Sequence, residues 1–250
     1  MEGSTATVSL RLPGGKVVER LPWTTVSVDL LRSAIPWRSF RWHLGQKHYS
    51  GSYWSATTRD HVVYESRLEL SRLLFADFDP LVRFIAAQPF LIQAVVTGEP
   101  RRHVPDYLLT TDEGPVIVDV KPRERLTNPK VTFAFDWTGR AVRSRGWRYE
   151  VWSEPPAARL ENLRFLAGYR RDWLFDSALL TELRLADFGG LTLGDATRII
   201  RHRPEPCVRA AIYHLMWAGE RALTPNPEHG LCGLCQRSWC AVEGVLEGDG

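Results

Sequence analysis

Long apolar runs are missing from this sequence. No stretch approaches the roughly 20 residues that a bilayer-spanning helix needs, and the first residues show no charged-then-apolar leader. We therefore expect a cytoplasmic protein with no membrane partner. Cysteine is also scarce: Cys207, Cys232, Cys235 and Cys240 are the whole complement. They are too few and too clustered for the disulfide framework of a secreted domain. A strong charge of one sign is absent as well, since the net charge is only +3, so a nucleic-acid partner cannot be argued from overall balance. Internal repeats and low-complexity segments are likewise absent.

What is present is an ordinary globular composition, 44% hydrophobic and 24% charged over 250 residues, enough for one large or two modest domains. The basic charge is concentrated. Between Lys121 and Arg148 there are eight Lys and Arg residues against Glu124 and Asp136.

The pattern predicts an α/β (α+β) protein built on a mixed sheet. Residues 1–55 form an aromatic-rich arm including Trp23, Trp37, Phe40, Trp42, Tyr49, Tyr53 and Trp54. Those rings would either stack on nucleobases or pack on the domain they cover. Gly14-Gly15 suggests a short hairpin. A core domain follows at 56–155. Its first element is an amphipathic helix over Tyr64 to Phe75, with Thr57, Thr58 and Asp60 as candidate caps and Asp79-Pro80 as its end. Strands are expected at 82–85, 90–96, 107–110, 116–120 and 148–152, with a helix around 130–145. Pro155-Pro156 marks a composition shift. Beyond it, 160–225 reads as a small winged-helix-like domain with helices at 174–186, 193–203 and 205–220 and a trailing strand near 222–225. Residues 226–250 are a cysteine-containing tail.

The chemistry centres on Pro105-Asp106 and, after twelve intervening residues, Asp119-Val120-Lys121. Side chains alternate along a strand, so Asp119 and Lys121 share a face while Val120 points away. The hairpin turn at 111–114 brings Asp106 alongside. Hard carboxylate oxygens suit Mg2+, with Mn2+ able to substitute. Such an ion lowers the pKa of a bound water and offsets charge on a scissile phosphate. Asp106 and Asp119 would be its ligands, with the Val120 carbonyl completing the protein's share of the shell. Lys121 would orient the water or join in proton transfer. Glu65, placed on the preceding helix, is a further carboxylate candidate, and Glu69 a weaker one a turn along. The bland alternative is a surface salt bridge on a strand.

The same residues carry a family resemblance. Tyr64-Glu65-Ser66-Arg67-Leu68-Glu69, Phe78-Asp79-Pro80, Gln88-Pro89-Phe90, His103-Val104-Pro105-Asp106-Tyr107, Val118-Asp119-Val120-Lys121-Pro122 and the approach from His48 to Ser55 together resemble the TnsA family. The match spans about residues 40 to 155. TnsA proteins are endonuclease subunits of heteromeric transposases, with a restriction-endonuclease-like PD-(D/E)xK core. The resemblance implies that Glu65, Asp106 and Asp119 bind metal, that Lys121 is the active-site lysine, and that Gln88 borders the site. It also implies double-stranded DNA as substrate, a partner transposase cutting the other strand, and a regulatory ATPase contacting the C-terminal region. A stand-alone defence or repair nuclease of the same fold is an alternative, because fold does not fix pathway. A catalytically silent DNA-binding or assembly module is another.

Three further features stay open. Arg123, Arg125 and Lys130 follow the site and would hold a phosphate backbone, or else form a solvated face. Arg198, Arg201, Arg203 and Arg209 are the DNA-contact candidates of the C-terminal domain, although its near-balanced charge suits protein docking equally. His229, Cys232, Cys235 and Cys240 have the residue types for a tetrahedral Zn2+ site, but only one tight Cys-x2-Cys pair; otherwise they are reduced thiols. Cys207 is expected in a helix core.

Overall fold

The computed structural model describes residues 6–38, 49–188 and 191–220. The chain divides into two compact units, residues 1–155 and 156–250. Both mix or consist of ordinary elements, and no helix among the described residues is long and apolar enough to cross a membrane.

The first unit is mixed α/β. It opens with strands β1 (Thr7–Arg11) and β2 (Val17–Pro22), joined at Gly14 and Gly15, which take φ of +78° and +83° as the expected hairpin requires. Helix α1 (Val28–Arg32) follows. Next come strands β3 (Gly51–Ser55) and β4 (Asp60–Tyr64), helix α2 (Arg67–Phe78), and strands β5 (Val82–Ala87), β6 (Leu91–Val96), β7 (Glu99–His103), β8 (Tyr107–Thr111) and β9 (Gly114–Val120). Helix α3 (Pro129–Arg143) and strand β10 (Arg148–Trp152) complete it.

Among the described residues the strands form three sheets, in the orders β2-β1-β6-β7, β10-β9-β8-β5 and β3-β4. The second is the expected mixed sheet: β9 runs antiparallel to β8 and parallel to β10. Its centre is β9, whose Val116-Ile117-Val118 run is fully suited to burial on both faces. The expected arm is built into the first sheet. Val8 and Leu10 of β1 are inaccessible because β1 lies between β2 and β6, and Trp23 joins them in the core. Trp23 also donates its indole N–H to the Ala141 carbonyl of α3 at 2.6 Å, so this ring packs. Phe90, Ile92, Leu108, Ile117, Trp137 and Val142 fill the same core, each burial contributing about 1.5–3 kcal/mol for a large side chain. Phe40 and Trp42 lie outside the described residues.

The helix expected from Tyr64 begins later. Residues 60–64 are extended in β4, and Ser66 caps α2 by accepting from the Glu69 N–H at 3.1 Å. Glu69 returns the contact, accepting from the Glu65 N–H at 2.7 Å and from the Ser66 hydroxyl at 2.9 Å. This Ser-x-x-Glu capping box displaces Thr57, Thr58 and Asp60 from the capping role.

The second unit contains helices α4 (Ala157–Leu166), α5 (Ser177–Leu185), α6 (Leu193–Ala196) and α7 (Glu205–Trp217). Leu179, Leu183, Val208, Ile212 and Leu215 form its core. The helix expected over 193–203 closes after one turn, and turns carry the chain to Pro204. The pre-proline restriction and two adjacent β-branched residues, Ile199 and Ile200, disfavour helix there. Cys207 is exposed rather than buried, since it precedes Val208, the first residue of α7 to turn inward. The trailing strand near 222–225 and the zinc candidates His229, Cys232, Cys235 and Cys240 fall outside the described residues.

Candidate active site

Asp106 and Asp119 are brought together by the β8–β9 hairpin. Its register pairs Tyr107 with Val118, so one step further along each strand sets Asp106 opposite Asp119. The backbone confirms the approach. The Asp106 N–H donates to the Val118 carbonyl at 3.1 Å, and Asp106 Oδ2 accepts from the Val120 N–H at 2.6 Å. Among the described residues nothing donates to Asp106 Oδ1. Like charges facing each other across a strand pair repel. Accordingly, burial first, then the charges of Asp119 and Glu69, hold the Asp106 carboxyl well above the usual carboxylate range. The Val120 N–H and Lys121 oppose that rise without overcoming it.

Lys121 sits one residue past β9, its N–H donating to the Trp152 carbonyl at 2.9 Å. It has no ion pair among the described residues, yet its charge acts on both Asp106 and Glu69. The ammonium therefore stands within electrostatic reach of the carboxylates.

Asp119 is held by two residues that the sequence reading did not single out. The residue is 1% exposed. His103, at the end of β7, places Nε2 2.8 and 2.9 Å from its two carboxylate oxygens, and Tyr149 of β10 donates its hydroxyl to Oδ2 at 2.5 Å. Burial, followed by the Asp119 charge and this hydrogen bond, pushes the Tyr149 hydroxyl far up, so it remains a donor. Strand parity contained a signal for Tyr149. In the parallel β9–β10 register it lies opposite Ile117 and shares a face with Asp119.

Glu65 is not on a helix. It occupies the junction between β4 and the α2 cap, with its carboxylate paired to Arg38 at 3.0 Å. Its neighbours include Glu69 and Tyr107, on whose ionisation its charge acts. Glu69 itself is committed to the capping box, and burial raises its pKa.

Gln88 ties these parts together. It is 3% exposed and adopts φ of +46°, a left-handed conformation that costs a non-glycine residue free energy. Its N–H donates to the Asp106 carbonyl at 2.8 Å, its carbonyl accepts from the Trp37 N–H at 3.0 Å, and its Oε1 accepts from the Arg38 N–H at 3.1 Å. The unusual backbone thus anchors residues 37 and 38 beside the strand that carries Asp106.

Of the basic residues beyond the site, Arg123 is engaged by Glu154 through both its N–H and its guanidinium. Arg125 and Lys130 are exposed, with no side-chain partner among the described residues. In the second unit Arg203 is occupied by Asp176 and Glu182, Arg209 by Glu205, and Arg198 approaches Asp195 at 3.7 Å. Arg201 has no partner among the described residues. These ion pairs reduce the free basic surface that DNA contact by this unit would need.

Among the described residues no group of three or more His, Cys, Asp and Glu side chains is disposed to hold a metal ion. That geometry suits a caged ion poorly, but Mg2+ commonly binds through one or two carboxylates and fills its octahedron with water and substrate phosphate. Asp106 and Asp119 supply that number. No family model matches this chain, and no curated protein matches it.

Proposed function

We propose that the chain is a Mg2+-dependent DNA endonuclease with a restriction-endonuclease-like core in the first unit, and that it acts as a TnsA-like strand-cutting subunit of a heteromeric transposase. The observation that carries this reading is the forced proximity of Asp106 and Asp119, two mutually repelling carboxylates within reach of the charge of Lys121. Such a pair is unfavourable in the free chain and favourable around a divalent cation.

Asp106 and Asp119 would hold the ion, Mn2+ fitting the same oxygen donors, with the Val120 carbonyl and Glu65 as further donors. The bound ion would supply an acidified water and charge neutralisation at the scissile phosphate. Lys121 would orient the attacking water and take part in its proton transfer. Arg125 and Lys130 would steady the DNA backbone without reading its sequence. The second unit would be the winged-helix-like domain, and given its paired arginines it would dock a partner transposase or a regulatory ATPase.

A second reading, a silent DNA-binding or assembly module, is favoured by one observation: both Asp119 oxygens are already engaged by His103 and Tyr149. Incubation with supercoiled plasmid decides between the two. The wild type should nick with Mg2+ or Mn2+, and Asp119→Ala and Lys121→Ala should each lower the rate at least about 100-fold. Nicking equal in all three proteins would misplace the site. No nicking with either metal, alone or with a co-expressed partner transposase, would leave the silent module. Nicking by the isolated chain at a rate that a co-expressed partner transposase leaves unchanged would favour a stand-alone nuclease of the same fold.

A further inference from the structure

The contacts of Asp119 extend that reading to two residues outside its proposed metal shell. We propose that His103 and Tyr149 are positioning residues that set the affinity of the site for its divalent cation, by fixing the Asp119 carboxylate in the plane and direction needed to face Asp106.

The geometry is specific. A carboxylate on a short side chain rotates about its terminal bond with little resistance, and Asp119 at a strand end has only Val120 and Val118 as chain neighbours. His103 removes that freedom. Its Nε2 is nearly equidistant from Oδ1 and Oδ2, at 2.8 and 2.9 Å, so it bridges the two oxygens rather than engaging one. Tyr149 then approaches one oxygen only, Oδ2, which distinguishes the two edges of the group. Together the two donors fix both direction and twist.

The donors are themselves fixed. The His103 ring meets Phe135 and Trp137 of α3 edge-on, with centroids 6.1 and 6.4 Å away. Tyr149 is held against Gly139 of the same helix, where a Cβ would come within 2.8 Å of its ring. Two strands of different sheets, β7 and β10, thus converge on one oxygen pair, and α3 packs against both donors. A surface salt bridge needs none of this, since an exposed carboxylate is satisfied by water. Partners of a metal-binding carboxylate, by contrast, typically change metal affinity 10- to 100-fold when removed.

The inference rests on the proposed role of Asp119 as a ligand, and the test separates the two. Mn2+ binding to the full chain is measured by titration calorimetry and by the loss of the free-ion paramagnetic resonance signal, with no DNA present. Asp119→Asn, His103→Ala, His103→Gln and Tyr149→Phe are compared with wild type, and thermal unfolding in EDTA checks that each variant is folded. Asp119→Asn should abolish binding. His103→Ala and Tyr149→Phe should each weaken it about 10-fold or more, whereas His103→Gln, which retains an N–H donor of similar reach, should recover most of the loss. Unchanged Mn2+ affinity in Asp119→Asn would overturn the ligand role itself. Lost binding in Asp119→Asn with wild-type affinity in both His103→Ala and Tyr149→Phe would overturn the positioning role alone. If His103→Ala proves unfolded, Tyr149→Phe and His103→Gln carry the comparison. Equal weakening by His103→Gln and His103→Ala would also overturn it.

Discussion

Asp106 presents the sharpest conflict between stability and a proposed role at the level of single residues. Its carboxyl is held well above the usual range by burial and by the charges of Asp119 and Glu69, so the folded chain holds that proton more tightly than the unfolded chain does. Below the ordinary carboxylate pKa, near 4, both states are protonated and no penalty applies. As pH rises from there through the raised folded value, stability falls, because the folded state binds more protons than the unfolded one. Above the ordinary carboxylate pKa, Asp106 therefore costs the metal-free chain stability. Asp106→Asn keeps an oxygen for the Val120 N–H while removing the charge, and it should stabilise the metal-free chain at pH 7. In thermal melts with EDTA that is a gain of a few degrees, fading below about pH 4. The same substitution should eliminate Mn2+ binding. A melting temperature unchanged or lowered at pH 7 would mean that the two carboxylates do not strain each other.

At the level of elements, Asp77 shows what holds the Glu65 segment in place. It lies near the end of α2, is 6% exposed, and accepts from the Tyr53 and Ser55 hydroxyls at 2.7 and 2.6 Å and from the Ala56 and Thr57 N–H groups at 3.0 and 2.8 Å. One carboxylate thereby fastens the β3–β4 turn to α2, and β4 leads directly into Glu65. Asp77→Ala would leave four donors to find water or remain unpaired, costing about 3 kcal/mol. Urea unfolding should show a lower midpoint with an unchanged slope. A midpoint equal to wild type would place the hairpin's stability elsewhere. This staple was not legible beforehand. The short polar and aromatic strands β3 and β4 lack clean alternation, and the contacts that define them come from a helix more than twenty residues away. By comparison β8, β9 and α3 were legible because period-two and period-3.6 patterns are written locally. The turn at Gly114, with φ of +107°, is also a local feature. Strand β7 was missed for a physical reason: Glu99-Pro100-Arg101-Arg102 is charged and proline-containing, which is how an exposed edge strand protects itself and also how a loop reads. His103 belongs to the motif that carries the family resemblance but receives no role from the sequence, because the strand that delivers it reads as a loop. Asp106, Asp119 and Lys121 could be grouped from alternation alone, whereas the place of Glu65 depended on a capping box whose first residue follows it.

Across the whole molecule, the division at residues 155 and 156 separates two hydrophobic clusters with no residue in common. The first draws on β1, β6, β8, β9 and α3, and the second on α5, α6 and α7. Every residue assigned to the candidate site, from Arg38 to Tyr149, belongs to the first unit. A chain segment with its own core and sheets is able to fold alone, and a unit of this length lies well above the size at which a core becomes marginal. The fragment 1–155 should therefore unfold cooperatively by circular dichroism and bind Mn2+ within about threefold of the full chain, a difference below 1 kcal/mol. Nicking at transposon ends with partner proteins should still require residues 156–250, if that unit serves docking. A fragment that folds but binds Mn2+ much more weakly would show that the second unit contributes to the metal site. That outcome would extend the proposed metal site beyond the β8–β9 hairpin, whose register brings Asp106 and Asp119 together.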